Sequence, residues 1–404
     1  MSFDLFAYRK LQDTAADCED RCDQIEREMR DPKAAERFAL KQSQAFVDQM
    51  EGFALELEDE LMNFSDVSYK SFVKSESEII TLFYDKFADI PLLSRMDAVA
   101  ETFIDEIETL LNRDLPEEER IPLIEKFRKM YETMDFYVLY NRFLKKEGYQ
   151  TLPRRPLEKR KLRYEDVYPV LYLKYRLSRQ AERSNIKHLV IDEMQDYSRL
   201  QYLIIRRMFS CKMTILGDRA QTMADQQQDV LQFLPGIFGK DLRRIEMRKS
   251  YRNTVEIASY AANLIGVTDL ELFERHGMPV LERDVTDLEA ALREAVDTLF
   301  PEEKTYETAA VIVPDEKTAE RAYLILREIL AEKDFDCEKR LSWLNRDSSS
   351  FKKGLTVTTF YLAKGLEFDQ VFSIFPKDEK REMMMQAQYI AATRALHELR
   401  VYHI

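Results

Sequence analysis

The stretch HLVIDEMQDYS, from His188 to Ser198, runs an apolar segment directly into two adjacent carboxylates, Asp192 and Glu193. Short β-branched runs that end in charge are typical of parallel strands, and open α/β sheets carry their functional crevice at the carboxyl ends of such strands. A second run, KMTILGD, delivers Asp218 in the same way. The two stretches therefore predict neighbouring parallel strands with acidic groups at one edge of a sheet.

The same pattern continues to the end of the chain. Apolar runs alternate with helical patterns after residue 185, in RRIEM, TAAVIVP, GLTVTT, QVFSIF and LRVYHI. Strands that alternate with helices indicate βαβ units and parallel sheets covered on both faces. We expect two such sheets, split near residue 245.

The first 150 residues have a helical pattern instead. Apolar residues recur there at three-to-four spacing, with acidic and basic residues between them, as in Phe46, Met50, Phe53, Leu57 and Leu61. This periodicity is typical of amphipathic helices. The chain therefore divides by pattern into a helical region at 1–150 and two α/β regions at 151–245 and 246–404.

A basic stretch, LPRRPLEKRKLR, follows the helical region. Pro153 and Pro156 interrupt regular structure there, and six Lys and Arg residues collect between Arg154 and Arg163. Such a cluster can contact nucleic acid, and a solvated linker is the alternative.

Composition bounds the class of protein. The 404 residues exceed the size at which single cores usually split, so two or three domains are expected. A formal net charge of -13 argues against a protein that wraps nucleic acid over its whole surface, because that binding requires clustered cations. Four scattered cysteines and the lack of a signal peptide or a long apolar run predict a cytoplasmic protein.

The acids at the strand end carry candidate chemistry. Asp192 could hold a metal ion while Glu193 polarises a water molecule, the arrangement of a Walker B site with Mg²⁺ and a nucleotide. Alone, this pattern also fits a solvated strand end. Gln195 and Asp196 add polar groups just past the strand, and ILGDRAQ adds Gly217 for a tight turn.

These segments resemble the motifs of superfamily 1 helicases of the UvrD/Rep type. VIDEMQDYS and ILGDRAQ resemble the second and third motifs. SYRNTVEIASYA resembles the fourth motif, VTTFYLAKGLEFDQVF the fifth and QYIAATRALHEL the sixth, all in the family's order. Within that family, YLAKGLEFD, with Tyr361 where the usual residue is His, looks most like the HelD branch, which acts on bacterial RNA polymerase.

The resemblance implies fold and function. It implies an incomplete first RecA-like domain at 151–245 with a large helical N-terminal insertion at 1–150, and a second RecA-like domain at 246–404. In such proteins ATP and Mg²⁺ bind between two RecA-like sheets, and hydrolysis drives movement on single-stranded or duplex DNA or the remodelling of a partner. The implied partners are therefore DNA and RNA polymerase.

The resemblance also implies roles for matching residues. Asp192 would hold Mg²⁺, Glu193 would orient the attacking water, and Gln221 would sense the γ-phosphate. Arg252 and Arg394 would act as arginine fingers, for which guanidinium is suited because it stays charged and forks onto phosphate oxygens.

For the remaining positions the resemblance implies contacts to the nucleotide or to nucleic acid and no part in the reaction itself. Tyr251 would stack on adenine, and further contacts to the nucleotide or the coupling region would come from Gln195, Gly365 and Glu367. The implied nucleic-acid phosphate contacts are Thr356 and Thr358.

One motif is missing from the sequence. Phosphoryl transfer in this family uses a P-loop, GxxxxGK[ST], and no stretch of the 404 residues matches it. We expect that the chain is a portion of a longer helicase and is inactive alone, because the other site residues are retained. The alternative is an interaction module without a P-loop that binds RNA polymerase or a repair complex.

Overall fold

The protein is described by a computed structural model that covers residues 3–179, 186–218, 230–247, 249–267, 271–302, 305–333, 335–346, 348, 352–377 and 382–404. The chain divides into two compact units. The first unit comprises Met1–Asp192, Tyr197–Leu216 and Val230–Lys240. The second unit comprises Glu193–Asp196, Gly217–Asp229 and Asp241–Ile404.

Helices dominate the first unit. They are α1 (Phe3–Lys10), α2 (Arg21–Arg30), α3 (Pro32–Gln42), α4 (Gln44–Glu60), α5 (Glu76–Thr81), α6 (Arg95–Leu111), α7 (Glu117–Arg128), α8 (Phe136–Lys146), α9 (Tyr164–Leu177), α10 (Arg199–Met208) and α11 (Val230–Phe238). The short strands are β1 (Asp17–Cys18), β2 (Val67–Tyr69), β3 (Phe72–Lys74), β4 (Lys161–Leu162), β5 (His188–Ile191) and β6 (Lys212–Ile215). The pairs β1–β4 and β5–β6 are parallel, and β2–β3 is antiparallel.

Helix α4 illustrates how the sequence pattern forms this unit. The Ser43 hydroxyl accepts a hydrogen bond from the backbone N–H of Phe46 and caps the helix. The predicted apolar stripe, Phe46, Met50, Phe53 and Leu57, is buried. It joins a hydrophobic core that extends from Phe6 in α1 to Leu234 in α11. The helical region and the β5–β6 pair therefore share one core.

A buried ionic network ties three helices of this unit together. Lys41 of α3 donates hydrogen bonds to Glu165 (3.0 Å) and Asp166 (2.7 Å) at the start of α9. Tyr140 of α8 donates to the same Asp166 oxygen at 2.8 Å. The side chains of Lys41, Glu165 and Asp166 are only 9%, 2% and 1% exposed. Burial of these charges is tolerable because each has a partner.

The second unit is an α/β layer structure. Its strands are β7 (Lys249–Ser250), β8 (Glu271–Leu272), β9 (Leu281–Asp284), β10 (Thr308–Val313), β11 (Leu341–Trp343), β12 (Gly354–Thr359), β13 (Phe368–Phe375) and β14 (Ala395–His403). Its helices are α12 (Val255–Leu264), α13 (Leu288–Asp297), α14 (Glu316–Ala331), α15 (Cys337–Arg340) and α16 (Glu382–Ala392).

Six of these strands form one parallel sheet in the order β11-β12-β10-β13-β14-β9. Every residue of β12 is buried, so both faces of this strand are covered. Helices α13 and α14 pack on one face with a core of aliphatic side chains and Phe372. The predicted α/β class with parallel sheets is confirmed.

The run RRIEM differs in structure from its sequence-based prediction. The run RRIEM was predicted as a strand, but residues 242–247 have no regular structure, and Ile245 and Met247 are 87% and 91% exposed. That prediction is wrong, because the apolar residues there have no covering layer.

The division into 1–150, 151–245 and 246–404 stays a prediction, although the second unit resumes at Asp241, near the predicted split.

No helix within the described ranges combines the length and the apolar character that crossing a bilayer requires. The cytoplasmic location stays a prediction.

The start of α12 gives the second unit a pH-dependent contact. Glu256 accepts hydrogen bonds from the backbone N–H of Gly277 (2.8 Å) and from His276 Nδ1 (2.9 Å). Partial burial raises the pKa of Glu256, but these hydrogen bonds, with that of Thr254, outweigh it and lower the pKa to about 2. The folded pKa lies below the unfolded value of about 4.3. The resulting stability is therefore present above about pH 4.3 and is lost as the pH falls towards 2.

We expect Glu256→Gln to lower the free energy of unfolding of the second unit by about 0.5–1 kcal/mol at pH 7. The difference from the wild type should shrink at pH 3. The sole tryptophan, Trp343, lies in β11, so its fluorescence during urea unfolding reports on this unit. The control is Glu320→Gln on the exposed face of α14, which should behave alike at both pH values. An equal loss of stability in Glu256→Gln at pH 7 and pH 3 would contradict the stabilising role of the ionised Glu256 carboxylate.

Candidate functional site

The DEMQD segment forms a tight turn where β5 ends. Asp192 is exposed directly after the strand, and a 3₁₀ turn spans Met194–Asp196. Glu193 between them has φ of 51°, in the left-handed region that residues other than glycine and asparagine seldom adopt. Strained backbone of this kind concentrates at functional sites because the surrounding contacts must hold it there.

Gln195 connects this turn with the segment after β6. Its side chain is 6% exposed, donates to the Glu193 carboxylate at 2.5 Å and accepts the backbone N–H of Asp218 at 3.1 Å. A Cβ added to Gly217 would lie 2.6 Å from the backbone N of Met194. The close approach of the two segments therefore requires glycine at 217. The structure brings the predicted DExQD and GD segments together.

Among the predicted catalytic residues that the structure describes, Arg394 is the most buried, at 1% exposure. Its guanidinium donates to the Ile390 carbonyl at 3.2 Å and to the Thr393 hydroxyl at 3.0 Å. Burial lowers its pKa and Arg252 lowers it further, whereas the carboxylates of Glu193 and Glu367 raise it. A cation held this far from solvent has lost its hydration, so an added anion would interact with it strongly.

Arg252 and Glu367 form an ion pair next to this group. Arg252 Nε lies 2.5 Å from Glu367 Oε1, and their side chains are 48% and 41% exposed. Gly365 lies in the turn before β13 with φ of 82°, a conformation suited to glycine. Arg252, Glu367 and Arg394 are therefore brought together, although the residues are distant in sequence.

Tyr251 is exposed beside them. Its ring is 60% exposed and lies 5.5 Å from the ring of Phe273, at an angle of 39°. An exposed aromatic face of this kind is able to stack on a planar ligand. The predicted adenine contact stays a prediction.

The two predicted phosphate contacts, Thr356 and Thr358, lie inside a covered sheet. Thr356 and Thr358 are both 0% exposed within β12. Thr356 Oγ1 is hydrogen-bonded to the Ser342 hydroxyl at 3.0 Å, and Thr358 Oγ1 donates to the Leu344 carbonyl at 3.2 Å. Both hydroxyls are therefore paired within the sheet, and the phosphate contacts stay a prediction.

The predicted residue Gln221 lies outside the described residues.

The described residues can be compared with the chemistry of the predicted ligands, Mg²⁺ and ATP. Carboxylate oxygens such as those of Asp192 and Glu193 are the hard ligands that Mg²⁺ takes, and the nearby guanidinium groups suit phosphate oxygens. The residue types present therefore fit both groups. Within the described ranges no cluster of three or more His, Cys, Asp or Glu forms a metal site, so Asp192 as a metal ligand stays a prediction.

Sequence reasoning missed two residues that organise the site. Asn253 is 8% exposed and donates to the carbonyls of Thr393 (3.2 Å) and Ala395 (2.7 Å), which flank Arg394. Lys364 forms an ion pair with Asp196, and its own side chain is 10% exposed. Asn253 directly follows Arg252 and Lys364 directly precedes Gly365, so proximity to the motif residues was the available signal.

Comparison with known protein families agrees with this arrangement of motifs. The model of the UvrD/REP helicase N-terminal domain matches residues 2–223, more than half of the chain. The match places the chain among the UvrD-like superfamily 1 helicases. The chain belongs to the UvrD/REP helicase family.

Several solved structures are similar to parts of the chain. The C-terminal domain of a possible DNA helicase from Lactobacillus plantarum WCFS1 shares 23% identity over 38% of this chain and 88% of its own length, with a TM-score of 0.31. The PRRSV helicase shares 14% identity over 66% of this chain and 45% of its own, with a TM-score of 0.32. An arterivirus helicase solved with DNA shares 15% identity over 66% of this chain and 51% of its own length, with a TM-score of 0.30.

The chain thus spans about half the length of the two viral helicases. TM-scores of this size do not establish a shared arrangement of the whole chain. Comparison with curated proteins gave no significant match.

Proposed function

We propose that the chain is part of an ATP-dependent superfamily 1 DNA helicase or translocase, in which ATP hydrolysis drives movement along nucleic acid or the remodelling of a partner. The observation that carries this proposal is the gathering of charged groups around the buried Arg394. Arg252 and the carboxylates of Glu193 and Glu367 all act on its pKa. A cluster of charged side chains of this kind is suited to stabilise the negative charge that develops on the phosphate oxygens during phosphoryl transfer.

Each residue would contribute a separate effect. Arg252 and Arg394 would neutralise phosphate oxygens, and Glu193, held by Gln195 at 2.5 Å, would orient the attacking water. Asp192 would hold Mg²⁺, which when bound neutralises phosphate charge. Tyr251 would stack on the base.

We expect weak nucleotide binding and no significant turnover by the chain alone, because its sequence contains no phosphate cradle of the GxxxxGK[ST] type. Titration of a fluorescent ATP analogue in the presence of Mg²⁺ should give a Kd on the order of 1 mM. Arg252→Ala should weaken this binding at least about tenfold, the scale of one charge-assisted contact.

The matched control is Arg283→Ala, because Arg283 also forms an exposed ion pair in the second unit, with Glu294. Nucleotide binding that survives Arg252→Ala unchanged would contradict the proposed role of the arginine. Robust Mg²⁺-dependent ATP turnover by the purified chain would contradict the proposed inactivity.

The second candidate function is an interaction module that binds RNA polymerase or a repair complex. The first unit exposes single apolar side chains on acidic elements, with Leu110 at the end of α6 and Ile121 in α7 at 71% and 58% exposure. Acidic helices can occupy basic nucleic-acid channels of a partner. The resemblance of the segment around Tyr361 to the HelD branch also supports this candidate. Salt-tolerant capture of RNA polymerase, with little binding of single-stranded DNA, would favour it.

A further inference from the structure

The basic loop, residues 154–163 of the first unit, lies outside the residues assigned so far. Five of its six cations are exposed, and four of these five are Arg154, Arg155, Lys159 and Arg163. None of the four forms an ion pair with any other part of the chain that the structure describes. The loop contains one acid, Glu158, which is also exposed. The loop therefore presents a concentrated positive charge on a chain with a net charge of -13.

The loop is held in place by Arg160, the one cation of the loop that is not exposed. This side chain is 12% exposed and pairs with Asp135 at 2.7 Å. It also donates to the carbonyls of Arg155 (3.0 Å) and Thr14 (3.2 Å) and lies 4.5 Å from the centre of the Tyr137 ring. Arg160 is thus a structural anchor, and its charge is already neutralised.

Both ends of the loop are fixed as well. The Tyr137 hydroxyl donates to the Pro153 carbonyl at 2.7 Å, and Asn141 accepts the backbone N–H of Leu152 at 2.7 Å. At the other end β4 pairs with β1, and Lys161 forms an ion pair with Asp17 at 2.9 Å. The backbone between these points is therefore constrained, and the exposed cations are presented from a fixed support.

We propose that the basic loop binds the phosphate backbone of a nucleic-acid strand. Because the backbone that carries these cations is already constrained, little backbone conformational freedom is lost on binding, which favours association with a polyanion. Side-chain contacts to phosphate position a strand without reading its bases. The only large apolar side chain that the loop exposes is Leu157, at 37%, since Leu162 is buried, so the loop lacks the apolar centre of a protein–protein interface.

This inference rests on the proposed function, since nucleic acid is the substrate of a helicase, and it adds a contact away from the motif residues. The test is the binding of a fluorescein-labelled single-stranded oligonucleotide to the full chain, followed by anisotropy at several salt concentrations. The variant combines R154Q, R155Q, K159Q and R163Q. At about 0.7 per cation, the slope of log affinity against log salt should fall by roughly three units. The affinity at about 0.1 M salt should fall at least tenfold.

The control removes four other exposed cations of the first unit, in a variant that combines K33Q, R113Q, K129Q and K145Q. It has the same net charge as the loop variant and should bind almost as the wild type does. Glu158→Gln should raise the affinity, a gain that misfolding cannot produce.

Equal losses in the loop variant and the control would overturn the proposal, because binding would then follow net charge alone. Displacement of the oligonucleotide by polyglutamate at an equal charge concentration would also overturn it and identify an acidic protein as the ligand. Absence of oligonucleotide binding by the wild-type chain would overturn the loop proposal. It would leave the ATP-analogue titration, which tests the proposed function, unaffected.

Discussion

Replacing Lys41 by methionine should lower the free energy of unfolding of the first unit by about 3–5 kcal/mol. Lys41 holds Glu165 and Asp166 at 3.0 and 2.7 Å inside the contact of α3 with α9. Methionine has a similar volume, so the loss comes from charge and not from a cavity. Two carboxylates would stay buried with fewer partners, which is the costly half of a broken buried ion pair.

Far-UV circular dichroism during urea unfolding would measure this effect, because the first unit contains most of the helices. Lys33→Met, an exposed substitution in the same helix, is the control and should stay within about 0.5 kcal/mol of the wild type. Adding Glu165→Gln and Asp166→Asn to Lys41→Met should recover much of the loss, since the uncompensated charges are removed. A loss below about 1 kcal/mol in Lys41→Met would show that the ionic network contributes little.

Replacing Gly354 by alanine should destabilise the second unit by about 3–5 kcal/mol. Gly354 begins β12 with φ of 120°, and an added Cβ would lie 2.8 Å from the backbone Cα of Arg340. The strand cannot move away, because β12 lies between β11 and β10 and is buried on both faces. The losses of stability that come from backbone strain and from steric overlap therefore add.

Trp343 provides the measurement, since it pairs with Val357 of β12 and its fluorescence follows this part of the sheet. Gly266→Ala is the matched control, because Gly266 also has a positive φ, of 68°, but has open space around a Cβ. It should lose only about 1 kcal/mol, through backbone strain. If the two variants lose equal stability, the steric overlap at Arg340 is not significant.

Much of the fold follows from local pattern. The apolar runs before Asp192 and Asp218 form the parallel pair β5–β6, and the runs from Thr308 onwards form strands of the parallel sheet. The pattern is sufficient there because the runs are short and contain β-branched residues, although β5 and β6 are much less buried than β10 and β12. It fails at residues 242–247, where apolar residues are exposed, since sequence cannot say whether another layer covers a segment.

The site is predictable in part. The two strand ends predicted neighbouring polar segments, and Gln195 is hydrogen-bonded both to Glu193 and to the backbone of Asp218. Sequence could not give the left-handed backbone of Glu193 or the ion pair of Arg252 with Glu367, because both depend on contacts between distant segments.

The complete burial of Thr356 and Thr358 could not be predicted for a related reason. The alternation of a strand shows that two threonines share a face but does not show what covers that face.

The strand order of the second unit has a consequence for how this unit folds. The edge strand β9 is made before the other strands of the six-stranded sheet, yet it pairs only with β14, the last of them. During synthesis β9 must wait, with its backbone groups unpaired, until residues 395–403 leave the ribosome. Pairings this distant in sequence form slowly, and an unpaired edge is a place where chains join each other. Chaperone dependence and aggregation on overexpression should therefore arise from this half of the protein.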